Sequence, residues 1–244
     1  MAYATINPFT EEQLKVFPNT TPAEIETALA RGHAAFQTWK TAPIAQRTRI
    51  LQNAADILRA NLDDYAKLLT VEMGKLFAEA QAETELSAAI FEYYALNAER
   101  LLAAEILPVA SLKEGRAKIV FEPQGIILAI EPWNFPYYQV ARIAAPQLAA
   151  GNTVILKHAS NVPQSAALME KLMRDAGLPE GGFQNLYPTH EQLNIVIADP
   201  RVRGVALTGS EGAGAKVASE AGLALKKCTM ELGGSDAMIV LADA

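Results

Sequence analysis

The sequence predicts an α/β fold built on a doubly wound, mostly parallel sheet, with a helical segment before it and a small β arm between the two. Three observations predict it. Apolar residues recur at helical spacing as far as about Arg100. Beyond that point, apolar runs of strand length alternate with amphipathic stretches of helix length, the pattern of βαβ units. Four of these runs end in polar or glycine-rich residues, at the carboxyl ends where parallel sheets bind ligands.

Taken in order, Thr21-Pro22-Ala23-Glu24 offers a hydroxyl cap, proline at the first helical position and a glutamate able to reach back to the cap. Ile25, Leu29, Gly32 and Phe36 then share one face. Pro43 interrupts. One long amphipathic stretch follows with Ile50, Leu51, Ala54, Leu58, Leu62, Tyr65 and Leu69, and Gly74 ends it. A third helix spans Phe77 to Leu101. These stripes read as scaffold packed on something larger. Gly115 to Glu122 alternates like a strand between turn residues. The apolar runs are Ile126–Ile130, Thr153–Leu156, Phe183–Leu186, Val205–Thr208, Cys228–Leu232 and Met238–Leu241. Helices are expected over Tyr137–Ala149, Pro163–Ala176, Glu191–Ala198 and Gly212–Leu225. Right-handed crossovers put them on both faces of the sheet, a Rossmann-like arrangement.

Composition narrows the classes. With 244 residues, half of them apolar, the chain has enough material for one large or two small domains and is not disordered. A net charge of −6 without a basic tract argues against nucleic acid. Met1 to Thr10 lacks a basic region followed by an apolar run, and no stretch has the length of a membrane span. The single cysteine, Cys228, forms no internal disulfide, so a cytoplasmic setting is expected. His33, His158 and His190 lack metal-ligand spacing, and no metal site is expected.

Each candidate site has a plain structural alternative. Gly209 to Gly214 opens a helix directly after a strand, where free N–H groups and the helix dipole suit a pyrophosphate. It is neither a P-loop nor G-x-G-x-x-G, and a tight turn explains it equally. Lys157, ending a buried strand, either snorkels to solvent or donates to a ribose or phosphate. Asn134, bracketed by Pro132 and Pro136, either bonds its own backbone or donates to a developing oxyanion. Glu231, at the end of an apolar strand before Gly233-Gly234, is either salt-bridged or a general base whose pKa burial raises. Cys228 is rejected as a nucleophile, because strand alternation points it away from Glu231.

Together PWNFP (132–136), AGNTVILKHAS (150–160), LTGSEGAG (207–214) and MELGGSD (230–236) resemble the aldehyde dehydrogenase superfamily. Glu72-Met73-Gly74-Lys75 extends the likeness into the helical half. LKHA and ALKKCxxELGGSD resemble the bacterial NAD(P)-dependent succinate-semialdehyde enzymes of that superfamily. The resemblance implies that Asn134 is the oxyanion donor and Glu231 the base for deacylation. It implies NAD or NADP held by Ile130, Pro132, Trp133, Lys157, Ser160, Gly209, Ser210, Gly214, Leu232 and Gly233. Arg142, otherwise readable as a surface arginine, matches the arginine that pairs with the distal carboxylate of a small aldehyde substrate. Ser160 stands where NAD-preferring members often carry glutamate, so NADP is expected to be admitted. The stretch Tyr187–Asn194 lacks the glycine that relatives place there, leaving its cofactor contact open.

The resemblance also divides the chain. Residues 1–102 and 125–236 are expected to form the cofactor-binding domain, 103–124 an arm for subunit contacts, and 237–244 the start of a catalytic domain. The family's nucleophilic cysteine lies downstream of the glutamate, and none follows Cys228 here. The expectation is therefore aldehyde oxidation in a longer form, homodimeric or homotetrameric, with this chain alone inactive; a non-catalytic nucleotide-binding fragment is the alternative.

Overall fold

The computed structural model describes residues 3–108 and 115–244. The chain begins with an antiparallel hairpin, β1 (Tyr3–Ile6) and β2 (Gln13–Phe17). Four helices follow: α1 (Pro22–Trp39), α2 (Ile44–Ala60), α3 (Leu62–Met73) and α4 (Phe77–Leu101). A second antiparallel pair, β3 (Glu105–Leu107) and β4 (Ala117–Ile119), stands largely exposed. Then strands and helices alternate: β5 (Ile126–Glu131), α5 (Pro136–Ala150), β6 (Thr153–His158), α6 (Pro163–Asp175), β7 (Phe183–Leu186), α7 (His190–Ala198), β8 (Val202–Thr208), α8 (Glu211–Leu223) and β9 (Lys227–Glu231).

The last five strands form one parallel sheet in the order β7-β6-β5-β8-β9. The chain runs outward from β5 through β6 to β7, then crosses back to β8 on the other side. That reversal makes the carboxyl ends of β5 and β8 the switch point, where open α/β sheets hold ligands. The two sheet faces carry separate cores. Ala129, Val154 and Leu156 face a cluster built from α2, α3, α4, α5 and α6. On the opposite face, Leu128, Ile130, Ile155 and Leu207 pack with Ile25 and Leu29 of α1, Leu193 of α7 and Val217 of α8.

Most expected elements are present, and the differences have physical causes. The Thr21 capping box forms as expected: Thr21 Oγ1 accepts from the Glu24 N–H at 3.2 Å, and Glu24 accepts from the Thr21 N–H at 2.7 Å. The single long helix expected over Ile50 to Leu69 is two helices. Asn61, at φ −122° and ψ 27°, leaves helical geometry and ends α2 as α3 begins. Gly74 closes α3 in the left-handed region at φ 76°, which glycine adopts without strain. The β1–β2 hairpin is not among the expected elements: Leu14 and Val16 do alternate with Gln13 and Lys15, but strands of four and five residues give too short a window for the period to stand out. The strand expected over Gly115–Glu122 shrinks to β4, and residues 109–114 of the expected arm lie outside the described residues. The strand expected at Met238–Leu241 is absent: these residues are exposed and pair with nothing among the described residues. An apolar run becomes a strand only with a neighbour to bond. Among the described residues no helix is long and apolar enough to cross a membrane.

Candidate active site

Strand register decides which side chains can meet. Lys157 pairs with Ile130, Ile130 with Leu207, and Leu207 with Met230, so these form one row across the sheet. One residue further on, His158 pairs with Glu131 and Thr208 with Glu231. Alternation sends the two rows to opposite faces. Lys157 therefore shares a face with α1, α7 and α8, whereas Glu131, Thr208 and Glu231 share the face of α5.

The Asn134 loop leaves β5 and enters α5, with Trp133, Asn134 and Phe135 exposed and Pro132 half-buried. The Asn134 carboxamide makes no hydrogen bond among the described residues, so the self-bonded turn is not what shapes this loop. Lys75 does so instead. Its ammonium donates to the Asn134 carbonyl at 2.9 Å and lies 3.7 Å from the centre of the Phe135 ring. It also pairs with the buried Glu83 carboxylate. Glu83 in turn accepts from the N–H groups of Tyr137 at 2.8 Å and Tyr138 at 3.3 Å. Helix α5 has no side-chain cap of its own, so a carboxylate from α4 satisfies its first N–H groups and its positive end. Glu72 does the same for α6, accepting from Gln164 and Ser165 N–H at 2.8 Å each.

His158 fastens the far side of the loop. Its Nδ1 accepts the Ala159 N–H at 2.8 Å, which leaves Nε2 to donate to the Pro136 carbonyl at 3.0 Å. Burial pushes the imidazole pKa down to about 4, so the ring is neutral at physiological pH.

On the α5 face, Arg142 reaches the ends of two strands. Its Nη2 donates to Thr208 Oγ1 at 3.1 Å, and Nη1 lies 3.8 Å from Glu231 Oε2. The buried position expected for Glu231 is not found. Its side chain is 56 % exposed, because β9 is the edge strand and nothing described covers its outer face. The buried carboxylate at this rim is Glu131, whose pKa burial raises to about 8 against the lowering influence of Thr208 and Arg142.

On the other face, Lys157 is half-buried with its ammonium 5.9 Å from the centre of the Tyr3 ring. Burial lowers its pKa. The β1 backbone closes over the same strand end, the Ala4 N–H donating to the Ser160 carbonyl at 3.0 Å. Ser210 caps α8, its hydroxyl accepting from the Ala213 N–H at 3.3 Å, and the Gly209 N–H donates to the Glu231 carbonyl at 3.0 Å. Gly214 and Gly233 are close approaches. A Cβ on Gly214 would press on the Leu232 side chain, and one on Gly233 on the Glu211 carboxylate. Cys228 and Met230 pack against the second core, so the thiol faces away from Glu231. In the Tyr187–Asn194 stretch, Thr189 and Gln192 form a capping box for α7.

Sequence reasoning misses Glu72, Glu83, Glu131 and the role of His158. A signal is present for Glu83: it sits on the buried stripe of α4 between Ala80 and Phe91, where an acidic residue needs partners.

Comparison with known proteins agrees with this architecture. The aldehyde dehydrogenase family model matches residues 1–244. The chain is 46 % identical over 239 residues to a protein of Deinococcus radiodurans named succinate-semialdehyde dehydrogenase [NADP(+)], covering 98 % of this chain and 50 % of that one. It is 45 % identical over 245 residues to one of the same name from Mycobacterium avium, covering all of this chain and 52 % of that one. The crystal structure of succinic semialdehyde dehydrogenase from Streptococcus pyogenes with NADP+ superposes with a TM-score of 0.94 at 46 % identity, covering 99 % of this chain and 52 % of that one. The chain thus spans about half the length of the curated relatives it matches. On the sequence match and the shared fold, it belongs to the aldehyde dehydrogenase family.

Proposed function

We propose that this chain provides the cofactor-binding half of an NADP-dependent aldehyde dehydrogenase that oxidises succinate semialdehyde. Arg142 carries the reading. It stands on the helix that begins at the Asn134 loop and reaches Thr208 and Glu231, so one guanidinium joins the oxyanion loop to the strand of the base. A guanidinium at that place suits the distal carboxylate of the substrate. Asn134, whose carboxamide makes no hydrogen bond among the described residues, donates to the oxyanion, and Glu231 activates water for deacylation. The thiolate comes from the part of the relatives' length that this chain does not span, since Cys228 faces the core.

The residues fit a pyridine dinucleotide. Lys157 offers a half-buried ammonium to a ribose or phosphate oxygen, and the capped start of α8 at Gly209, Ser210 and Gly214 suits the pyrophosphate. Ile130, Pro132, Trp133, Leu232 and Gly233 border the same rim. When bound, NADP supplies the hydride acceptor. Ser160 carries no negative charge that would repel a 2′-phosphate, and the names of the relatives from Deinococcus radiodurans and Streptococcus pyogenes carry NADP. The exposed β3–β4 pair, with Ile106 and Ile119 uncovered, supports an arm that seeks a partner strand in a homodimer or homotetramer. Domain limits at 102, 125 and 236 and a cytoplasmic setting belong to the same proposal.

Calorimetric titration of the chain with NADP and NAD tests the cofactor reading. NADP is expected to bind at least as tightly, and Ser160→Glu to weaken NADP selectively. An NAD preference of about a hundredfold, roughly 2.7 kcal/mol, contradicts it.

A further inference from the structure

Glu131 ends the central strand only 2 % exposed, and among the described residues neither carboxyl oxygen meets a donor in full hydrogen-bond geometry, the Thr208 hydroxyl being near enough only to lower its pKa. Arg142, close enough to act on it electrostatically, has a buried Nε that likewise finds no partner among the described residues. A buried acceptor and a buried donor, both unsatisfied and neighbouring, are an arrangement that folding normally closes. Closing it would turn the Arg142 Nε toward Glu131 and draw the guanidinium away from Glu231.

We propose that Glu131 is a positioning residue that sets how available Arg142 is to an anionic ligand. Protonated, Glu131 leaves the guanidinium turned toward the rim. Ionised, it draws Nε inward and competes with the ligand carboxylate. The inference rests on the reading of Arg142 as the substrate's anion receptor. The groups facing Glu131 are Arg142 on α5, Thr208 on β8, Glu231 one strand further on β9, and His158 beside it on β6. His158 is neutral at physiological pH, so Arg142 is the cation of this group. Burial raises the Glu131 pKa to about 8, which puts the change within reach of experiment.

The test is calorimetric titration of the full chain with succinate at about pH 6.5 and about pH 9, with Glu131→Gln and Arg142→Leu alongside. Wild-type affinity is expected to fall at least about fivefold between the two pH values, and Glu131→Gln to hold constant within about twofold. A second measurement needs no ligand. The carboxyl 13C resonance of Glu131 is expected to titrate at higher pH in Arg142→Leu, because the stabilising cation is gone. A Glu131→Gln variant that keeps the wild-type fall overturns the proposal, as does a Glu131 midpoint unmoved by Arg142→Leu. If Arg142→Leu loses succinate while Glu131→Gln keeps the wild-type pH response, this inference alone fails. If Arg142→Leu binds succinate as tightly as wild type, the receptor reading fails and takes the inference with it. If succinate binding is too weak to measure, the 13C midpoint decides.

Discussion

Lys75→Met tests whether the helical layer holds the Asn134 loop. In the wild type the lysine side chain is 7 % exposed, and its ammonium meets the Glu83 carboxylate, the Asn134 carbonyl and the Phe135 ring. Methionine fills similar space but leaves Glu83 as a buried anion. Removing one partner of a buried pair costs about 3–5 kcal/mol. Glu83 keeps its bonds from Tyr137 and Tyr138, which places the expected loss near the lower end, about 3 kcal/mol. Glu83→Gln removes the charge but keeps an oxygen for the α5 N–H groups, and is expected to cost about 2 kcal/mol. The double variant then falls short of the sum by at least about 1.5 kcal/mol, because each change has already removed the pair. Urea unfolding followed by circular dichroism measures all three, with an unchanged slope as the condition for comparison. A Lys75→Met loss below about 1 kcal/mol, or single losses that add within about 0.5 kcal/mol, refutes the coupling.

Other perturbations have equally definite outcomes. His158 folds with its pKa lowered from 6.5 to about 4, so the unfolded chain binds more protons between those values. Its contribution is complete above about pH 6.5 and declines by up to about 3 kcal/mol as pH falls to about 4. Glu131, raised from 4.5 to about 8, acts in the opposite sense and weakens the fold as pH rises between those values. The two are separated by comparing unfolding curves of His158→Asn and Glu131→Gln with wild type from about pH 4 to about pH 8. Gly181→Ala places a Cβ 2.6 Å from the Arg31 carbonyl oxygen at a φ of 85°, and is expected to lower stability by about 2 kcal/mol in the same urea assay. In a full-length enzyme carrying these residues, Asn134→Ala is expected to lower kcat about 10²–10³-fold with folding intact, measured by reduced-cofactor absorbance.

The parts of the fold that depend on local pattern are readable in the sequence. The Thr21 cap, the Phe77–Leu101 helix and the alternating second half follow from spacing, capping and burial, which a window of residues carries. The Asn61 break is hidden because the apolar stripe of α2 runs on in phase into α3. Met238–Leu241 shows the opposite failure: four apolar residues resemble a strand, but a strand is a relation between two segments. Glu231 does sit at a strand end, yet its exposure follows from the strand order, which puts β9 at the edge. Glu131 escapes notice beside Glu231 for the same reason, since β5 is central and the sequence does not say which strand is.

Two acidic residues change what the helical half is for. Its stripes read as scaffold, and most of their residues are. Glu72 and Glu83, however, cap α6 and α5, the helices that leave the two strands carrying Lys157 and the Asn134 loop. Neither helix has a side-chain cap of its own. A capping oxygen from the preceding loop would have tied up a residue at the rim itself. Drawing it from α3 and α4 leaves the Asn134 carboxamide without a hydrogen bond among the described residues and still fixes its backbone through Lys75. The loop is thus held from behind by buried charge, while the groups facing the rim keep their hydrogen-bonding capacity for a ligand.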